Sequence, residues 1–160
     1  MKKSYFSRDV QEFLYLLHRY DVKYVVVGGE AVIYYGYARL TGDIDFFYDS
    51  EIENIGKLFS ALLEFWDGDI PGIVDKKDLA EPGIVLQFGI VPNRIDLLNK
   101  IDGVDFAEAW FNRRTEFMVM KGEKISVNYI GINQLIKNKE AIQRNKDLED
   151  LKYLNKVEPE

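Results

Sequence analysis

The chain has 160 residues, 47% of them hydrophobic, which suffices for one ordinary domain with a core and excludes wholesale disorder. Its 21 basic and 27 acidic residues leave a net charge of −6, which excludes broad, nonspecific adhesion to nucleic acid, although Lys137, Lys139, Arg144, Lys146, Lys152 and Lys156 gather near the C-terminus as a local basic wall. With no cysteine and one histidine, His18, disulfides, thiol nucleophiles and thiolate metal sites are removed, and a histidine-based metal site or triad is nearly excluded.

The N-terminus, MKKSYFSRDV, has two lysines with no apolar stretch behind them, unlike a secretory signal. No apolar run approaches a bilayer span, and the lack of cysteine fits a cytoplasmic protein. Ser7 is placed to cap a helix over residues 7–20, with Val10, Phe13, Leu14, Leu16 and Leu17 on one face and His18 as a surface or packing residue. Asp21 begins the turn into a strand over 25–27, whose β-branched run suits burial on both faces. Gly28 and Gly29 stop that strand; a glycine pair lets the chain turn sharply and lets a ligand approach the backbone. A short helix over 30–35 follows, with Gly36 as its stop.

Asp43-Ile44-Asp45 opens the next strand, which runs on through Phe46, Phe47 and Tyr48. Side chains alternate across a strand, so Asp43 and Asp45 share a face. Two adjacent carboxylates repel each other and resist dehydration, and a divalent cation is the simplest way to make the pair favourable. The alternative is that Asp43 caps a loop and Asp45 hydrogen-bonds a turn. Helical spacing of Ile52, Ile55, Leu58, Phe59, Leu62 and Leu63 predicts a helix over 51–65. Glycines and prolines then break the pattern over 66–82, which reads as a loop or irregular hairpin.

Strands are predicted over 84–90 and 94–98 around a Val91-Pro92-Asn93 turn, and Asp96 sits in the second, flanked by Ile95 and Leu97. An aspartate inside an apolar strand is costly unless paired or bound to a cation. A short helix over 103–111, strands over 115–120 and 124–129, and helices over 131–138 and 140–154, as one bent helix or two, complete the order; Pro159 ends the chain. No repeat or linker interrupts it, so residues 1–160 are expected to form a single domain. The tight strand-to-strand turns demand some antiparallel pairing. The predicted class is therefore α/β, with a central mixed β-sheet flanked by α-helices and a helical C-terminus.

The order Gly28-Gly29, short helix, Arg39-x-Thr41-x-Asp43-Ile44-Asp45 resembles the nucleotidyltransferase superfamily. Within it the chain is similar to small bacterial nucleotidyltransferase-like proteins related to the toxins (AbiEii) of AbiE-type abortive-infection, toxin–antitoxin systems. A second match, Leu135-Ile136-Lys137-Asn138-Lys139 then Arg144-x-Lys146-Asp147-Leu148-x-Asp150-Leu151, is similar to the lysine- and aspartate-bearing helical motif of that branch. Asp96 stands where the family has its third carboxylate, so the resemblance spans about 24–154.

The resemblance implies the nucleotidyltransferase fold and magnesium-dependent transfer of a nucleoside monophosphate from a nucleoside triphosphate. The acceptor, whether RNA, protein or small molecule, is open. Two magnesium ions would be held by Asp43 and Asp45, with Asp96 completing one site and serving as base. Gly28 and Gly29 would present backbone N–H groups to the triphosphate, with Arg39, Thr41, Lys139 and either Arg144 or Lys146 beside it. A cognate antitoxin-like partner protein is implied as well. The alternatives are action through that partner, or nucleotide binding without turnover. One departure is that Gly29 occupies the position of the serine found in many members, and Glu30 follows it. Structural readings also stay open. Asp96 pairs with Arg94 or Arg39, Arg39 pairs with Asp43, Thr41 is a loop hydrogen-bonder, and Asp147 or Asp150 anchors Lys139 or Arg39. Tyr34, Tyr35, Tyr37 and Tyr48 are expected to be packing and rim residues.

Overall fold

The computed structural model describes residues 5–157; Pro159 lies outside them. Helix α1 (Arg8–Arg19) starts where the Ser7 hydroxyl accepts a hydrogen bond from the Val10 amide at 3.2 Å, and its stripe of Val10, Phe13, Leu14, Leu16 and Leu17 is buried. His18 Nδ1 accepts from the Ser126 amide at 3.1 Å, a packing role. Strand β1 (Tyr24–Val27) is buried throughout. Helix α2 (Gly28–Tyr34) begins at the glycine pair itself, two residues earlier than the sequence pattern suggests, with Gly28 at φ +67°. An L side chain disfavours that conformation, so the turn and the first helical residue coincide at a glycine.

Strand β2 (Asp43–Tyr48) is followed by α3 (Ile52–Phe65), which buries Ile55, Leu58 and Leu62 but leaves Ile52 exposed. Residues 66–82 hold turns and a short 3-10 helix (Lys76–Ala80), with no hairpin; Asp75 and Asp78 cap it, and Ile70, Ile73 and Leu79 tie it to the core. Then come β3 (Val85–Phe88), β4 (Arg94–Leu98), α4 (Phe106–Phe111), β5 (Arg114–Met120) and β6 (Glu123–Tyr129). The chain ends in α5 (Ile132–Ile142) and α6 (Asn145–Leu154), two helices separated at Gln143, whose φ is +59°. Lys139 therefore lies inside α5, not at a break.

The described strands form one sheet in the order β3-β4-β2-β1-β6-β5. The pairs β2–β4 and β1–β6 are parallel and the other neighbours antiparallel, so the sheet is mixed as expected. Helices cover both faces. Val26, Ile44, Phe46, Tyr48, Ile95 and Leu97 pack with residues of α1 and α3 on one face. Val25, Val27, Phe47 and Leu98 pack with residues of α2, α4, α5 and α6 on the other. Alternation thus sends Ile44 and Phe46 into the first core and leaves Asp43 and Asp45 on the second face, ahead of Phe47. Among the described residues no helix is long and apolar enough to cross a membrane.

Candidate active site

Register alone brings the acidic residues together. Strands β2 and β4 run parallel with Asp43 opposite Arg94 and Asp45 opposite Asp96, while Val27, just before Gly28, lies opposite Asp45 on β1. Side chains two apart on a strand share a face, and so do register partners. Asp43, Arg94, Asp45 and Asp96 therefore form a square at the open end of β2. One oxygen from each of Asp43, Asp45 and Asp96 lies within 4.8 Å of the others. A slip of one residue between β2 and β4 would dissolve the cluster.

Arg94 belongs to this square. Its Nε donates to Asp96 Oδ1 at 2.8 Å, and its Nη2 donates to Asp96 Oδ2 at 3.0 Å and to Asp43 Oδ2 at 2.9 Å. The structural pairing of Asp96 with Arg94 thus coexists with its place in the acidic cluster. Gln87 donates to Asp96 Oδ2 at 3.4 Å. The signal was legible in sequence, since Arg94-x-Asp96 repeats the spacing of Asp43-x-Asp45 and puts the guanidinium on the carboxylate face.

Asp45 is the uncompensated member. Its Oδ1 is buried and has no hydrogen-bond partner. Burial, then the charges of Asp43 and Asp96, push its carboxyl up to about 8. Asp96 is also raised, by burial first, with Arg94 opposing. Asp43 is lowered because hydrogen bonds from its neighbours, including Arg94, outweigh its burial. A buried oxygen lacking a donor, inside an all-oxygen set of three carboxyl groups, is the environment a hard divalent cation favours. The residues present fit magnesium.

The glycine pair is shaped by the same cluster. A Cβ on Gly28 would sit 2.3 Å from Asp45 Oδ2, and one on Gly29 would sit 2.8 Å from Thr41 Oγ1 and 3.0 Å from Arg39 Nη2. Only bare backbone passes between the carboxylates and the Arg39–Thr41 segment. The Thr41 hydroxyl donates to the Asp43 carbonyl oxygen at 3.2 Å and lies 3.3 Å from Asp43 Oδ1, so it does bond its own loop.

Hollows flank the strand end. One, of about 220 Å3, is lined by Gly28, Asp45, Lys100, Lys139 and Arg144; the other, of about 330 Å3, by Arg39, Thr41, Asp43 and Arg94 among others. Arg39 does not pair with Asp43. Its Nε lies 3.1 Å from Asp150 Oδ1 and its Nη2 donates to Asp150 Oδ2 at 3.2 Å, because α6 delivers Asp150 under the loop. Lys139 Nζ, on a side chain 2% exposed, bridges Asp147 Oδ1 at 3.0 Å and Asp150 Oδ2 at 3.1 Å. Arg144 Nε donates to Asp147 Oδ2 at 2.7 Å. Gly28, Gly29, Arg39, Thr41, Asp43, Asp45, Asp96, Lys139 and Arg144 therefore lie at the strand end or in the ion cluster next to it. Lys146, the alternative to Arg144, lines neither hollow, whereas Lys100, which carried no motif, and Asn138, which stands in the C-terminal motif with no role assigned, line the first.

The ion cluster makes stability depend on acid. Burial opposes ionisation of Asp147, but hydrogen bonds from Arg144 and Lys139 win and hold its carboxyl at about 2. A depressed carboxyl contributes stability above its unfolded value, near 4, and loses it as pH falls through about 2. Urea unfolding from pH 5 to 2.5 is expected to show a loss of about 2 kcal/mol from this group. The Asp147→Asn variant should be less stable at pH 5 and lack that part of the decline. Parallel curves for the two proteins would contradict the assignment.

Residues 7–156 match a family model described as "Nucleotidyltransferase of unknown function (DUF6036)". No curated protein matches the chain.

Proposed function

Because the chain belongs to this family of nucleotidyltransferases, we propose that residues 1–160 act as one nucleotidyltransferase-like domain that moves a nucleoside monophosphate from a nucleoside triphosphate to an acceptor hydroxyl. One observation carries the reading: three carboxyl groups from two adjacent strands converge beside a bare glycine bend, with Asp45 Oδ1 buried and unpartnered. Asp43, Asp45 and Asp96 would hold magnesium, as a pair of ions. When bound, the metal supplies neutralisation of charge on the phosphate oxygens. The residues of this chain do the rest, by positioning. Gly28 and Gly29 let the polyphosphate approach the backbone, Lys139 and Arg144 line its hollow, and Arg39 and Thr41 flank the opposite side. Asp96 accepts the proton of the acceptor hydroxyl.

Kinship with AbiE-type toxins belongs to this proposal. It is supported by Lys139, Asp147 and Asp150, which the motif places in sequence and which meet in one buried cluster. An antitoxin-like partner protein and action inside the cytoplasm come with it. Binding without turnover is a second reading, favoured by Arg94, which already neutralises Asp43 and Asp96. The test is calorimetric titration of magnesium with each nucleoside triphosphate, followed by pyrophosphate release in cell extract, on the intact protein and Asp43→Ala. Magnesium-dependent binding and release that both vanish in Asp43→Ala are expected. Binding without release would favour the second reading, and no binding would overturn both.

A further inference from the structure

A separate hollow, of about 220 Å3, opens at the other end of β1, about 10 Å of strand away from Gly28. Tyr24, the first residue of that strand, lines it. The parallel strands β1 and β6 are in register only at Val26 and Tyr129, and beyond that point side chains replace the backbone ladder. The Asn128 amide donates to Tyr24 Oη at 3.4 Å, and the Ser126 amide to His18 Nδ1 at 3.1 Å. Two buried polar side chains keep donors in reserve here. Tyr24, 2% exposed, accepts that bond, but its hydroxyl proton has no acceptor among the described residues. Asn128, 7% exposed, accepts from Thr115 Oγ1 at 2.8 Å through Oδ1, and its Nδ2 hydrogens have no acceptor there either.

Arg113, on the same wall, adds a cation. Its Nη1 donates to the Trp110 carbonyl oxygen at 2.8 Å, its guanidinium carbon lies 3.7 Å from the centre of the Trp110 ring, and its Nε has no hydrogen-bond partner. Lys23 Nζ lies 5.7 Å from the same ring. Among the described residues neither cation pairs with a carboxylate. The acids nearby are engaged: Asp21, which lines the hollow, lies 3.6 Å from Lys57 Nζ, and Glu123 Oε2 lies 4.0 Å from His18 Nε2. Buried donors without acceptors cost free energy that an incoming acceptor recovers, and donors beside unpaired positive charge select an anion. The rest of the wall, Leu17, Val22 and Trp110, offers apolar surface.

We propose that this hollow is a second ligand site, separate from the transfer centre, and that it takes a small organic carboxylate. The two carboxylate oxygens match the free edge of the Arg113 guanidinium and the Asn128 amide, and a flat apolar body packs on Leu17, Val22 and Trp110. One guanidinium on the wall, with the Asp21 carboxylate at its side, suits a single negative charge better than the double charge of a phosphate. The site does not depend on nucleotidyl transfer, and its failure would leave that reading untouched.

Calorimetry with benzoate, against benzamide, its uncharged counterpart of similar shape, and inorganic phosphate, tests the site without metal or nucleotide. Benzoate binding is expected in the intact protein and in Asp43→Ala alike, with none for benzamide and weaker binding of phosphate. Arg113→Gln should weaken benzoate binding about tenfold or more, as for loss of one charge-assisted hydrogen bond, and Tyr24→Phe should weaken it severalfold. Thermal melts check that both variants are folded, and the contrast of benzoate with benzamide on the intact protein stands whatever they do to the fold. No benzoate binding, equal binding of benzamide, or benzoate binding indifferent to Arg113→Gln would overturn the site. Preference for phosphate would overturn the carboxylate assignment. Loss of benzoate binding in Asp43→Ala would put the ligand at the transfer centre and overturn the proposal as well.

Discussion

Replacing Asp45 by asparagine is expected to stabilise the metal-free protein and to abolish its response to magnesium. The two effects have one cause. Asp45 stands opposite Asp96 in register and two residues from Asp43, with Oδ1 buried and unpartnered. Its carboxyl is raised to about 8 by burial and by its acidic neighbours. A carboxyl whose folded value exceeds its unfolded one weakens the fold progressively as pH rises from about 4 to 8. An amide of the same shape removes that charge. The expected gain at pH 8 is on the order of 2 kcal/mol after discounting for partial exposure, or roughly 4–8 °C in melting temperature. The same substitution deletes an oxygen ligand from the proposed metal site, and transfer should fall about a thousandfold. Thermal melts at pH 8, with and without magnesium and nucleotide, separate the alternatives. If asparagine destabilises the metal-free protein, the like-charge account is wrong. If magnesium still raises its melting temperature as in the unaltered protein, Asp45 is no ligand.

The second large effect lies in the ion cluster beneath the site. Lys139→Met should cost about 3–5 kcal/mol, a sizeable part of the stability of a domain this size. Asp147 and Asp150, 0% and 1% exposed, both contact Lys139 Nζ. Without it, two buried carboxylates share only Arg39 and Arg144. Removing one partner of a buried pair leaves an uncompensated charge, which costs more than the pair itself contributes. Urea midpoints should fall accordingly, and Lys139→Met combined with Asp147→Asn should recover part of the loss. A loss below about 1 kcal/mol would show that the cluster is hydrated and not structural. Because Asp150 also holds Arg39, melting α6 away from α5 would release the loop before β2 and blur the site.

Much of this was legible because β-strand chemistry is local. Alternation put Asp43 and Asp45 on one face, and Asp96 between Ile95 and Leu97 announced an isolated charge in an apolar strand. The glycine pair marked a close approach, and the neighbouring atom turned out to be Asp45 Oδ2. What stayed hidden depends on tertiary placement. In sequence Arg39 has two kinds of partner open to it, Asp43 and the aspartates of the C-terminal motif, and only the return of α6 beside the loop decides for Asp150. The separation of α5 from α6 occurs at Gln143 in a left-handed conformation, with no glycine or proline to mark it. Residues 66–82 carry turn signals that fit a hairpin as well as the 3-10 helix found there; burial of Leu79 in the core goes with the second. The hollow at the far end of β1 unites Leu17, Tyr24, Arg113 and Asn128 from separate stretches, which no local pattern could reveal.

The most direct test of the central claim is anomalous scattering from crystals grown with manganese and a non-hydrolysable nucleoside triphosphate analogue. The account predicts manganese density bonded to oxygens of Asp43, Asp45 and Asp96, with the polyphosphate beside Gly28. Crystals that hold the nucleotide elsewhere, with Arg94 still bridging Asp43 and Asp96 and no manganese among the three carboxylates, would contradict it.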